Sequence, residues 1–250
     1  MSDKQVDRIN ALLAKAEAAS TQEEADTYNA KASELMIRYG VEQAMLAAAR
    51  GEADAKEEIV QIKVDFTGQF AKSHMMLAWL AAQALTGEAV SGFKTRHYRG
   101  SGVTLTLIGY ESDVSSVKAM IASLLLQCES ELFDWWEYEK AAYKGQGQYD
   151  KTVARRSFIE GYSSAASKKI RDVYSRVVKE EQAKETGTAV ALVDRKKQVD
   201  NYMRSHFSVG KGRSSYSRSD AAGRSAGRAA GARADVGGRG VSNSRGRIGR

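Results

Sequence analysis

Not one of the 250 residues is proline. Proline is the strongest internal breaker of a helix, because it lacks a backbone donor and its ring collides with the preceding turn. A chain without it can carry a helix as far as its apolar pattern extends, and has to stop it with glycine, a polar cap or a change of period. The sequence reads in those terms from its start.

Ile9, Leu12, Leu13 and Ala16 fall at i, i+3, i+4 and i+7, on one helical face. Thr21 followed by Glu24 has the form of a capping box, and Tyr28, Ala32, Leu35, Met36 and Tyr39 continue at helical spacing to Gly40, which reads as a C-terminal stop. The pair predicts a helical hairpin, followed by a weaker Ala-rich helix from Val41 to Lys56. From Ile59 the period changes: Val60, Ile62, Val64 and Phe66 alternate with Gln61, Lys63 and Asp65, as in a strand with one buried face. An apolar helix from Phe70 to Leu85 follows, then strands at Ala89–Thr95 and Val103–Tyr110 joined across HYRGSG.

The chain then turns helical for most of a hundred residues. Val114, Val117, Ile121, Leu124, Cys128, Leu132 and Trp135 form a near-heptad seam that can pack inside the chain or against another copy. After KGQGQ, Phe158, Tyr162, Ala166, Ile170, Val173 and Val177 form a second stripe, suited to an antiparallel pairing with the first. Lys179 to Phe207 is strongly charged and reads as a solvated helix broken near ETGT. These elements predict an α+β, predominantly helical protein: an N-terminal helical domain at 1–57, an α+β domain with a β-hairpin and long helix at 58–143, a helical region at 150–207, and a Gly/Arg/Ser/Ala tail at 208–250.

Charge is segregated along the same divisions. Residues 211–250 hold ten cations against Asp220 and Asp235, a net +8, while the other 210 residues hold 28 cations and 29 acids, a net −1. A neutral body with a basic appendage describes the chain better than a uniformly basic protein. The tail has almost no large apolar residue to offset ordering entropy, which favours an unstructured polycation. Yet Gly223, Gly227 and Gly231 recur every fourth residue, and a helix would align them on one side. Three glycines cost a helix about 3 kcal/mol relative to alanine, so that helix needs a surface close enough to use the missing side chains. The body, another subunit or nucleic acid could supply it.

Familiar catalytic layouts are missing. His74, His97, His206 and Cys128 lack the spacing of a zinc site, and there is no phosphate-binding GxxxxGK[ST] loop, HExxH helix or GxSxG elbow. Cys128 reads as a small buried hydrophobe, His74 as a structural histidine, and the Trp135–Trp136 doublet as one core and one surface ring. No cofactor, metal or catalytic residue is assigned. The lone cysteine suits a reducing compartment, MSDKQVDRIN lacks a secretory apolar stretch, and MMLAWLAAQAL is about half a membrane span, so a cytoplasmic protein with no membrane partner is expected.

The segment RINALLAKAEAASTQEEADTYNAKASELMIRYGV resembles the N-terminal domain of a family of bacterial and phage proteins of unknown function, common in actinobacteria and their phages. The LLAKAE box, the acidic start of the second helix and the ELM..YG ending carry the resemblance over about forty residues. Weaker similarity continues in GYESDVSSVKAM, RRSFIEGYSSAASKKI and AGRSAGRAAGARADV. The resemblance implies architecture and a phage or prophage setting, hence host cytoplasm, and no catalytic residues.

Two features point to DNA or RNA. The turn FKTRHYRGSG sets Lys94, Arg96 and Arg99 beside Tyr98 and flexible glycines, a combination that can hold phosphates while stacking on a base. In the tail, Arg213, Arg218, Arg224, Arg228, Arg233, Arg239, Arg245 and Arg247 supply guanidiniums that fork toward phosphate oxygens. Arg155–Arg156, Lys168–Lys169 and Arg195–Lys197 could add a basic stripe. The expectation is a non-enzymatic nucleic-acid-associated accessory protein; the alternatives are an assembly component that oligomerises through the long helices, or an enzyme with an unfamiliar site.

Overall fold

The computed structural model describes residues 2–50, 57–96, 102–184, 187–208, 210 and 218–236. Helices α1 (Ser2–Glu17) and α2 (Gln22–Arg50) form the N-terminal hairpin. Its turn is capped as the spacing predicts, with the Glu24 amide donating to Thr21 Oγ1 at 3.2 Å. Ile9 and Ala16 are buried on α1, and Ala32, Met36 and Ile37 on α2.

Gly40 does not end the second helix. The expected stop, and the separate helix from Val41, give way to one continuous helix of 29 residues; residues 51–56 lie outside the described set. A mid-helix glycine costs about 1 kcal/mol relative to alanine, and the burial of Tyr39, Val41 and Ala44 around it outweighs that. A Cβ at position 40 would also lie 2.9 Å from Asp113 Oδ1.

Strands β1 (Ile59–Phe66), β2 (Ser91–Arg96) and β3 (Val103–Tyr110) form an antiparallel sheet in the order β1-β3-β2, with α3 (Ala71–Leu85) connecting the first two. The register pairs Ile59 with Tyr110 and Ser91 with Ile108. Val103, Leu105 and Leu107 of the central strand join the main core with Leu77, Ala78 and Ala81 of α3. On the opposite face, Ile108 and Tyr110 pack with Val199, Tyr202, Met203 and Phe207 from and beyond α6 (Thr188–His206). Helix α6 is therefore not simply solvated: Ala191, Arg195 and Val199 form a buried stripe at i, i+4, i+8.

Helices α4 (Glu111–Glu139) and α5 (Gln148–Lys184) carry the two predicted apolar stripes. Val117, Leu124 and Cys128 of the first, and Phe158, Tyr162 and Ile170 of the second, are all buried at 1 % exposure or less. Trp135 stacks on Phe158 with ring centroids 5.1 Å apart. The heptad seam is thus enclosed within the chain. Both tryptophans of the doublet are half-buried, since Trp136 packs against Tyr143 and beneath the Arg155 guanidinium. Burial pushes the Cys128 thiol far above its ordinary range and disfavours the thiolate.

Where α2, α4 and α6 meet, a charged network is enclosed. Arg195, 4 % exposed, donates from Nε to Asp113 Oδ2 at 2.8 Å, from Nη1 to Glu57 Oε2 at 3.0 Å and from Nη2 to Ser112 Oγ at 2.9 Å. Its guanidinium lies 4.0 Å from the centroid of the Tyr110 ring. Burial raises the Asp113 carboxyl above the usual range despite Arg195. Burial also acts upward on Glu57, but the charge and hydrogen bonds of Arg195 outweigh it and hold Glu57 low.

Candidate nucleic-acid interface

Of the tail, residues 221–233 take the helical state. Helix α7 (Ala221–Arg233) opens on Asp220, whose side chain accepts from the Gly223 amide at 2.6 Å. Asp220 is fixed in turn by the Tyr143 hydroxyl, which donates to Oδ1 at 3.0 Å, and by its own amide, which donates to Ser157 Oγ at 2.9 Å. Burial and the Asp220 carboxylate push the Tyr143 phenol up to about 12, so it remains a donor.

The surface that repays the glycine cost is the body itself. Gly223, Gly227 and Gly231 lie against the backbone carbonyls of Ala154, Phe158 and Tyr162, and Gly161 of α5 lies against the backbone of Arg224 and Arg228. Both sets step by four in the same sense, so the helices run parallel, with no room for a Cβ at any of the four glycines. Such close backbone approach maximises dispersion contacts and admits Cα–H to carbonyl contacts.

The end of α7 is held as firmly. Lys169 Nζ donates to the Ala234 carbonyl at 2.6 Å, Asn29 Nδ2 to Asp235 Oδ2 at 2.8 Å, and the Asp235 amide to Gln127 Oε1 at 2.8 Å. Ala234, Asp235 and Val236 are buried. Residues 218–236 therefore join α2, α4 and α5.

The predicted contact residues divide accordingly. Arg218 pairs with Asp150 at 2.8 Å, Arg224 with Glu160 at 2.7 Å and Arg233 with Glu131 at 2.9 Å, whereas Arg228 is exposed. Lys94 is exposed on β2, which Arg96 closes. Tyr98, Arg99, Arg213, Arg239, Arg245 and Arg247 lie outside the described residues.

The cations of the basic stripe expected on the body have partners within the chain, those of Lys168 and Lys197 being short-range pairs on the surface. Arg155 lies 5.3 Å from the Phe70 ring and 5.0 Å from Trp136, Lys168 pairs with Asp172, and Lys169 caps α7. Arg195 is buried, Lys196 pairs with Glu88 and Lys197 with Asp194. Arg156 Nη2 donates to the Arg218 carbonyl, and its Nε lies 3.6 Å from Glu160.

Sequence reasoning missed the carboxylates Glu131, Asp150 and Glu160, and missed Gly161. The signal for Gly161 was its place beside small residues in EGYSSAAS, the kind of face a glycine-spaced helix requires. His74 has a neighbour the sequence did not identify: its Nε2 lies 2.5 Å from Glu129 Oε1, close enough for an ion pair but not aligned as a hydrogen bond. Among the described residues, no group of three or more His, Cys, Asp or Glu is placed to hold a metal ion, and no helix is long and apolar enough to cross a membrane.

No curated protein and no solved structure matches the chain. In keeping with the resemblance carried by its hairpin, residues 4–43, which span α1 and α2 to just past Gly40, match the family described as Protein of unknown function (DUF2786).

Proposed function

We propose that this is a non-enzymatic nucleic-acid-associated accessory protein whose body is a rigid mount for basic segments at its C-terminal end. The observation that carries this reading is the segregation of charge along the chain. The clustered cations of the body are engaged within the chain. By contrast, Lys211 and Arg213 lie in a stretch from 211 to 217 without an acid, and Arg239, Arg245, Arg247 and Arg250 lie in another from 237 to 250. Guanidiniums in segments that carry no carboxylate of their own are strong, sequence-indifferent ligands for phosphodiesters.

Docking of α7 changes the test. Removing everything after residue 210 would strip α7 from α5 and confound loss of binding with loss of structure. Ending the chain at Val236 removes four arginines and leaves α7 in place. Salt-titrated binding to duplex DNA should then weaken, and the log-log salt slope should become shallower by about 3 to 4, at about 0.9 per phosphate contact. Equal affinity of the whole and shortened chains at every salt concentration would overturn the reading.

A further inference from the structure

Between α5 and the start of α7 two guanidiniums share one carboxylate. Glu160 Oε2 accepts from Arg224 Nη2 at 2.7 Å, while its Oε1 lies 3.6 Å from Arg156 Nε, too far for a good hydrogen bond. The Nε groups of Arg156 and Arg224 are both buried and have no hydrogen-bond partner. Arg156 is anchored by its donation to the Arg218 carbonyl, and the backbone of Arg224 by the contact with Gly161. The result is two oriented forks, two buried donors without acceptors, and one excess positive charge around a single glutamate. A planar carboxylate has too few oxygens in the right places for both forks. A tetrahedral phosphate group presents more acceptor oxygens and more charge.

We infer that Arg156 and Arg224 form a phosphate-binding site occupied in the free protein by Glu160, which a phosphate group must displace. The site takes a phosphodiester or a free phosphate; as a nucleic-acid contact it rests on the function proposed above. Displacement leaves α7 docked, because its glycines, the Asp220 cap, Lys169 and the buried Ala234–Val236 hold it without the arginine heads. Glu160 is about one-third exposed and can swing into water.

The exchange has a signature in salt. An arginine that trades Glu160 for a phosphate leaves that carboxylate to gather a cation from solution, so the trade releases little net counterion. In Glu160→Gln the same contact should release a full counterion, steepening the log-log slope by about 1. Affinity for a duplex DNA oligomer should rise about threefold, and Arg156→Gln in that background should abolish both gains, with α-helical circular dichroism unchanged throughout. A wild-type chain that binds the oligomer, with a Glu160→Gln variant that binds no better, would overturn the inference. If neither chain binds the oligomer, the proposed function fails. The site is then decided by calorimetry with inorganic phosphate: Arg156-dependent binding to Glu160→Gln supports it, and no binding overturns it.

Discussion

Among the glycines whose missing side chain leaves room for a neighbour, those of α7 and Gly40 use that room with opposite chemistry. At Gly223, Gly227 and Gly231 the neighbour is a backbone carbonyl already engaged in α5. At Gly40 it is the carboxylate of Asp113, itself held by a buried arginine. The first contact is indifferent to charge and is made of many small, repeated dispersion terms. The second depends on one network in which each partner compensates another's lost hydration, so removing one member exposes the cost of all. A helix fixed by the first kind of contact can carry any charge on its outer face, whereas a junction of the second kind cannot.

The largest effect expected from breaking this contrast is at Arg195. Arg195→Leu leaves Asp113 and Glu57 buried without their cation and should cost about 3–5 kcal/mol in chemical denaturation. A loss under about 1 kcal/mol would mean that water reaches the network freely.

Next comes Gly227→Val, which forces a branched side chain onto the Phe158 carbonyl. It should cost about 1–3 kcal/mol, or more if α7 leaves α5, and trypsin cleavage at Arg224, Arg228 and Arg233 should accelerate with it. Unchanged protease resistance would show that the two helices can part by the width of a side chain without separating.

Smallest is Gly40→Ala. Alone it should destabilise by about 1 kcal/mol, the crowding of Asp113 exceeding the gain in helix propensity. In an Asp113→Ser background the same substitution should become neutral or stabilising by up to about 1 kcal/mol. Denaturation of the four proteins in a double-mutant cycle measures the coupling, and additivity would separate Gly40 from the network.

The sequence carried the periods well. Alternation from Ile59 to Phe66, the heptad spacing from Val114 and the Thr21 cap are local patterns, and the elements formed where those patterns stood. Gly40 misled because a stop signal and a space for another chain segment look identical without the segment. Arg195 was invisible for a related reason: it sits in a charged run, and its partners lie 82 and 138 residues away. The spacing of the tail glycines required a partner surface but left the body, another subunit and nucleic acid equally open. The partners of the body's basic stripe were legible in part: Lys168 and Lys197 pair with acids three or four residues away, whereas Arg155, Lys169, Arg195 and Lys196 meet partners that only the fold brings near.

The glycine mooring of α7 also bears on how this chain can change over time. Positions 161, 223, 227 and 231 accept hydrogen alone as a side chain, while Ala222, Ser225, Arg228, Ala229 and Ala232 face solvent. Substitutions at those outward sites encounter no steric barrier, so the helix can drift in its surface chemistry while its seat on α5 stays fixed. In related chains, variation should concentrate on that outer face and spare the four glycines.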